Sequence, residues 1–167
     1  MEEQIMNMPA VALRGLTILP GMIAHFDISR ERSLRAVEEA MEQDQKIYLV
    51  TQRNVDSEDP TQEDLYQMGI VADIKQVVRL QNDVVRILVD GISRAALLGF
   101  TGNEKYLEAE ICYCDSNADS LPEDLREAML LGVREAFHRY AAVVGKISKE
   151  LIRQIDQYED LEKLIDY

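Results

Sequence analysis

Two cysteines, two histidines and a scatter of serines, lysines and carboxylates are the side chains here that could carry chemistry. Ser148 stands beside Lys149, the residue types of a Ser–Lys hydrolase. No serine of the chain sits in a glycine-rich, strained turn of the G-x-S-x-G kind, and Ser148 fits better as a helix cap. Gly145-Lys146 is the only Gly-Lys pair. Ile147 follows it where a phosphate-binding loop needs a hydroxyl, and Tyr140 occupies the place of that loop's first glycine. No G-x-G occurs, which removes the dinucleotide fingerprint. Cys112 and Cys114 alternate on a strand-like segment, too awkwardly spaced for a disulfide, and a metal centre needs more ligands than these two. They read as free thiols of a reducing compartment. His25 reads as a half-exposed strand residue and His138 as part of a solvated helix face. Acidic pairs such as Glu38-Glu39 and Glu63-Asp64 read as solvated surface, and nothing singles out two carboxylates across a cleft. The expectation is that this chain has no catalytic, cofactor-binding or metal-binding residues.

The elements that would have to position such groups alternate between two textures. Residues 9–14 and 16–19 read as short strands about Gly15, Pro20-Gly21 as a turn, and 23–28 as a strand. Ser29 is placed to cap a helix carrying Leu34, Val37 and Met41. Residues 46–51 form a strand that runs into an acidic loop, where Thr61 and Asp64 cap a short helical turn closed by Gly69. Ile70, Ala72 and Ile74 alternate and then lose phase near Gln76-Val77, the mark of a bulge. Gln81-Asn82-Asp83 turns the chain into 84–91, 93–100 continues the sheet, and 105–114 alternates cleanly with Leu107, Ala109, Ile111 and Tyr113 on one side. After residue 115 the spacing becomes helical. One helix opens near Ser120-Leu121-Pro122, carries Leu125, Met129, Val133 and Phe137, and ends at Gly145. A second is capped by Ser148, and a third begins near Tyr158. The third helix's apolar stripe still runs at Tyr167, so the natural chain is expected to continue. Strands followed by helices give an α+β chain, with a β-rich domain at 1–115 and a helical subdomain, expected to be truncated, at 116–167.

A formal net charge of -13 over 167 residues, spread along the chain, repels phosphate backbones and argues against nucleic-acid binding. Hydrophobic residues make up 47%, enough for a core. No apolar run reaches membrane-spanning length, and the first ten residues have no secretion-signal pattern. A cytoplasmic protein that stays off the membrane is expected.

Several segments together resemble one family. Leu13-Arg14, Pro20-Gly21-Met22, Arg30-Glu31 with Ser33, and Lys46 to Gln52 follow in the order seen at the start of Lon proteases. The run PTQEDLYQMGIVADI resembles that family's acidic loop and following strand, and Val89, Gly91, Arg94 and Ala95 stand where its "V-x-G-x-x-R-A" strand has them. The likeness covers residues 9 to about 112, and the later helices match only in pattern. Ser29 departs from the family's usual Gly, and Ala12 from its apolar strand residue.

The resemblance implies a small β pseudo-barrel (Lon N-terminal, PUA-like) with one packed helix, followed by the start of a helical bundle. It also implies a non-catalytic domain that recognises unfolded or degron-bearing proteins for an ATP-dependent serine protease acting in protein quality control. That parent would be a homo-hexamer using ATP and Mg in modules elsewhere, and this fragment alone would be a monomer or weak dimer. A free-standing Lon-N-like adaptor is the alternative. Client contacts are expected at Met22 of the Pro-Gly-Met turn and at Leu97, Leu98, Phe100 and Tyr106 around the turn after Phe100.

Overall fold

Alternation of apolar residues on the early strands puts two sets of side chains on two faces, and both faces are buried. In a computed structural model, which describes residues 5–114 and 118–167, this is achieved by closing a sheet on itself. The chain forms two compact units, Met1–Cys114 and Asp115–Tyr167. The first contains β1 (Ile5–Leu13), β2 (Ile23–Ile28), α1 (Glu31–Glu42), β3 (Lys46–Thr51), a 3-10 turn at Gln62–Asp64, β4 (Met68–Arg79), β5 (Val85–Phe100) and β6 (Glu108–Tyr113).

The sheet order is β2-β5-β4-β3-β1-β6, and β6 pairs again with β5. Five strands therefore form a ring, with β2 an extra strand on the first half of β5. Two strands change partner along their length to make this possible. β1 pairs antiparallel with β6 over Ile5–Pro9 and parallel with β3 over Ala10–Leu13. Pro9, which has no amide to donate, stands where the partners change. β5 pairs with β2 from Val85 to Asp90 and with β6 from Ala95 to Phe100, while β4 runs along its other edge. Register shifts at Val71/Ala72 and Ile74/Gln76 bend the β4–β5 pair where the sequence loses phase. The hairpin turn has positive φ at Asn82 and Asp83, as a tight two-residue turn requires.

Inside the ring lie Met8, Ala10, Ala12, Tyr48, Val50, Val71, Ala95, Leu97, Ala109 and Ile111, drawn from all five strands. The alternate residues Val11, Leu13, Ile47, Leu49, Ile70 and Ala72 form a second core with α1, β2 and Ile18. The small residues Ser33, Ala36 and Ala40, with Val37, are the buried stripe of α1, so the helix lies close to the sheet.

Several expectations are corrected. β1 starts at Ile5, not residue 9, because its pairing with β6 is a tertiary contact with no local signal. Residues 16–19 are not a strand: this segment is a loop whose Ile18 plugs the second core. Arg30 rather than Ser29 is the N-cap of α1, and Met41 points outward. Gly69 belongs to β4 and does not close the turn at Gln62–Asp64, although Asp64 does accept from the Thr61 amide at 2.9 Å.

In the second unit α2 (Glu123–Val144), α3 (Lys149–Gln157) and α4 (Leu161–Asp166) are joined by short connections. Pro122 is the N-cap of α2 and Gly145 its C-cap; part of the expected linker, residues 115–117, lies outside the described residues. Ser148 Oγ accepts from the Leu151 amide at 3.1 Å, and Asp160 accepts from Glu162 and Lys163. The Arg134 guanidinium donates to the Tyr158 carbonyl, and His138 Nε2 lies 2.8 Å from Asp156. Ile155, Leu161 and Leu164 are buried, but Leu125, Met129 and Leu131 of α2 are exposed. A 22-residue helix is about 33 Å long, and helices of nine and six residues cover only part of it.

Candidate substrate-binding surface

The motifs singled out in the sequence meet around β5. Gly91 donates its amide to the Met22 carbonyl at 2.9 Å and accepts from the Gly21 amide at 2.7 Å. A Cβ at Gly91 would come within 2.3 Å of the Leu19 carbonyl oxygen. The Pro-Gly-Met turn is thus docked on the strand at Gly91, where no side chain stands in its way. This holds Met22 (38% exposed) and Ile23 (67%) in solvent, with Ile92 exposed next to Gly91 in the chain.

A second exposed apolar group forms toward the end of β5. The Leu97 amide donates to the Gln67 carbonyl at 2.7 Å, and Gln62 Nε2 donates to the Leu98 carbonyl at 3.0 Å. These bonds fix the segment before β4 beside β5, leaving Leu98 (43% exposed) and Tyr66 (47%) open to solvent. The Arg53 guanidinium stacks 5.0 Å from the Tyr66 ring centroid and donates to the Leu65 carbonyl at 2.9 Å, which orients the ring.

The predicted contact residues divide on this geometry. Met22 and Leu98 are exposed. Leu97 (7%) and Tyr106 (8%) are core side chains, facing the ring and the α1 layer respectively, so neither is available to a client. Phe100 is half-buried against the ring core. Alternation explains the error, because adjacent residues on one strand face opposite sides and the 97–100 segment contributes to both. Tyr66, Ile23 and Ile92 were missed, each lying next to a residue that draws attention by its motif.

Arginines hold the acidic loop beside these groups. Arg30 Nη2 donates to the Ala12 carbonyl at 2.6 Å and Nη1 to that of Glu58 at 3.1 Å. Arg14 Nη2 and Gln52 Nε2 both donate to the Ser57 carbonyl, at 3.0 and 2.9 Å, and Arg32 pairs with Asp59 at 3.2 Å. The shifted pKa values have structural causes. Burial pushes the Tyr48 phenol up, and its hydroxyl donates to the Ala95 carbonyl across the ring at 3.0 Å. Burial likewise raises Tyr106. The bond from Lys46 lowers Asp73, and the bidentate bond from Arg86 lowers Asp27. His25 is exposed and lines a shallow open groove with Gln76, Val78, Arg86 and Leu88. Gly145 caps a helix and so offers no phosphate cradle. No described helix is long and apolar enough to cross a membrane.

A family model for the ATP-dependent protease La (LON) substrate-binding domain matches residues 7–167. The chain is 37% identical over 166 residues to a Lon protease of Lachnoclostridium phytofermentans and 36% identical over 163 residues to one of Clostridioides difficile. These alignments take in 99% and 96% of this chain but 20% and 21% of the relatives, so the chain spans about a fifth of their length. Its fold is similar to that of the N-terminal domain of a Mycobacterium avium complex Lon protease, with a TM-score of 0.72 at 17% identity over 96% of this chain and 80% of that one. It is also similar to a Lon N-terminal domain protein of Xanthomonas campestris, with a TM-score of 0.56 at 14% identity over 96% and 95% of the two chains.

Proposed function

The chain belongs to the Lon substrate-binding domain family, and on that footing we propose that it captures unfolded or degron-bearing protein segments on the apolar groups that flank β5. Supporting this reading is the docking of the Pro-Gly-Met turn on Gly91, which spends a buried backbone contact on keeping Met22 and Ile23 in water. Exposed apolar side chains held by a rigid sheet suit recognition of chains that have lost their own core. Methionine adapts to varied partners, and tyrosine presents a large contact at low entropic cost.

In this reading the domain itself cleaves nothing. It serves a cytoplasmic serine endopeptidase that assembles as a homo-hexamer and uses ATP and Mg in other modules. Fluorescence anisotropy with a permanently unfolded, labelled client tests the capture. Binding on the order of micromolar Kd is expected. Replacing both Met22 and Leu98 by Asp should weaken it at least tenfold without changing the far-ultraviolet circular dichroism. Undiminished binding by that variant would remove these groups from the reading.

A further inference from the structure

Three sulfur side chains stand on the outer face of the ring, apart from both cores, with the Cys112 thiol 3.6 Å from the Tyr113 carbonyl. Met68 on β4 is in register with Ala96 on β5, and Ala96 with Cys112 on β6. Residues opposite one another across a sheet point to the same side, so Met68 and Cys112 flank the small Ala96. The Cys114 amide donates to the Arg94 carbonyl at 3.0 Å, which carries the pairing one step past β6 and puts Cys114 on the same face as Cys112. Cys114 Sγ lies 3.7 Å from Met68 Sδ. Cys114 is exposed and Cys112 partly so, neither is in a disulfide, and Met68 is about half exposed.

The geometry rules out one use of this cluster and favours another. Alternate residues on a strand are about 6.7 Å apart, whereas a disulfide needs Cβ atoms about 3.8 Å apart, so the thiols do not close on each other within the sheet. A metal ion with thiolates about 2.3 Å away bridges that span with ease. Two thiolates and a thioether are a soft donor set. Among the described residues no group of three or more His, Cys, Asp or Glu gathers, so a zinc ion would lack its usual four ligands here. We propose that Cys112, Cys114 and Met68 form a surface site for one Cu(I) ion. On binding, each thiol gives its proton to solvent, the ion takes two thiolates and the Met68 thioether as ligands, and its oxidation state is unchanged. The third ligand comes from β4, 44 residues before Cys112, so the local sequence pattern contains only two of the three. The site goes beyond client capture and stands without it.

The test is an anaerobic titration of the reduced chain with Cu(I) buffered by a chromophoric chelator, with size-exclusion chromatography of the product. One ion per chain on a monomer is expected, with Zn(II) failing to compete. Cys112→Ser and Cys114→Ser should each abolish competition with the chelator, and Met68→Leu should weaken binding about tenfold, since a neutral thioether contributes less than a thiolate. All three positions are at the surface, so the fold should persist by circular dichroism. If a serine variant fails to fold, alkylated wild-type chain replaces it as the thiol-free comparison. The proposal is overturned if thiol-free chain holds Cu(I) as tightly as the wild type, if one ion binds per two chains, or if Zn(II) binds equally well.

Discussion

Tyr48 and Gly69 show how much of the ring depends on single atoms. Tyr48 fills the ring with its phenol and reaches the Ala95 carbonyl. A Cβ on Gly69 would lie 2.4 Å from that phenol ring and 2.6 Å from the Leu49 carbonyl oxygen. Gly69→Ala should therefore cost about 1–3 kcal/mol by overpacking. Tyr48→Phe, which removes the bond to the Ala95 carbonyl, should cost about 1 kcal/mol. Urea midpoints at unchanged m-value check both. In the sequence Gly69 looks like a helix stop, because the same residue serves a turn and a close approach; only Tyr48, brought in by pairing of β3 with β4, distinguishes them. Charge makes a separate prediction. The bond from Lys46 holds Asp73 below the ordinary aspartate value of 3.8. The contribution of this pair is thus complete above that value and is lost as pH falls through the depressed folded-state pKa. Asp73→Asn should flatten the acid limb of the stability–pH curve, measured by urea midpoints from pH 7 down to pH 3.

At the scale of elements, local signals were read well where the cause is local. The turn at Asn82-Asp83, the Thr61–Asp64 cap and the Ser148 cap are set by neighbours within a few residues. The N-cap of α1 was misplaced by one residue because Arg30 is committed to a distant partner, the Ala12 carbonyl, that no local rule contains. The α2 stripe reads as a core face, yet its partners are too short to cover it. Arg30 also binds the Glu58 carbonyl, so Arg30→Ala should release the acidic loop. Faster amide hydrogen exchange over residues 53–61, with strand amides unchanged, is the expected result. Gly91→Ala should lift the Pro-Gly-Met turn from β5, cost about 1–3 kcal/mol and weaken client binding together with it.

For the whole molecule, closure of the ring was legible only as an implication of family resemblance. Periodicity gave the strands and their buried sides but not that β5 serves two partners, β2 and β6, on one edge, nor that β1 meets β6 with its first half and β3 with its second. Of the predicted contact residues, Met22 and Leu98 are exposed while Leu97 and Tyr106 are not, because exposure depends on which face the closed ring turns outward. The five ring strands and both cores lie within Met1–Cys114, so residues 1–114 expressed alone should fold cooperatively, with a single thermal transition by circular dichroism. The most direct test of the central claim is incubation of the chain with a labelled unfolded client, following anisotropy and the integrity of the client together. The account predicts saturable binding on the order of micromolar Kd, weakened by the Met22→Asp, Leu98→Asp double change, with the client left intact. Absence of binding by the folded chain, or cleavage of the client by it, would contradict the account.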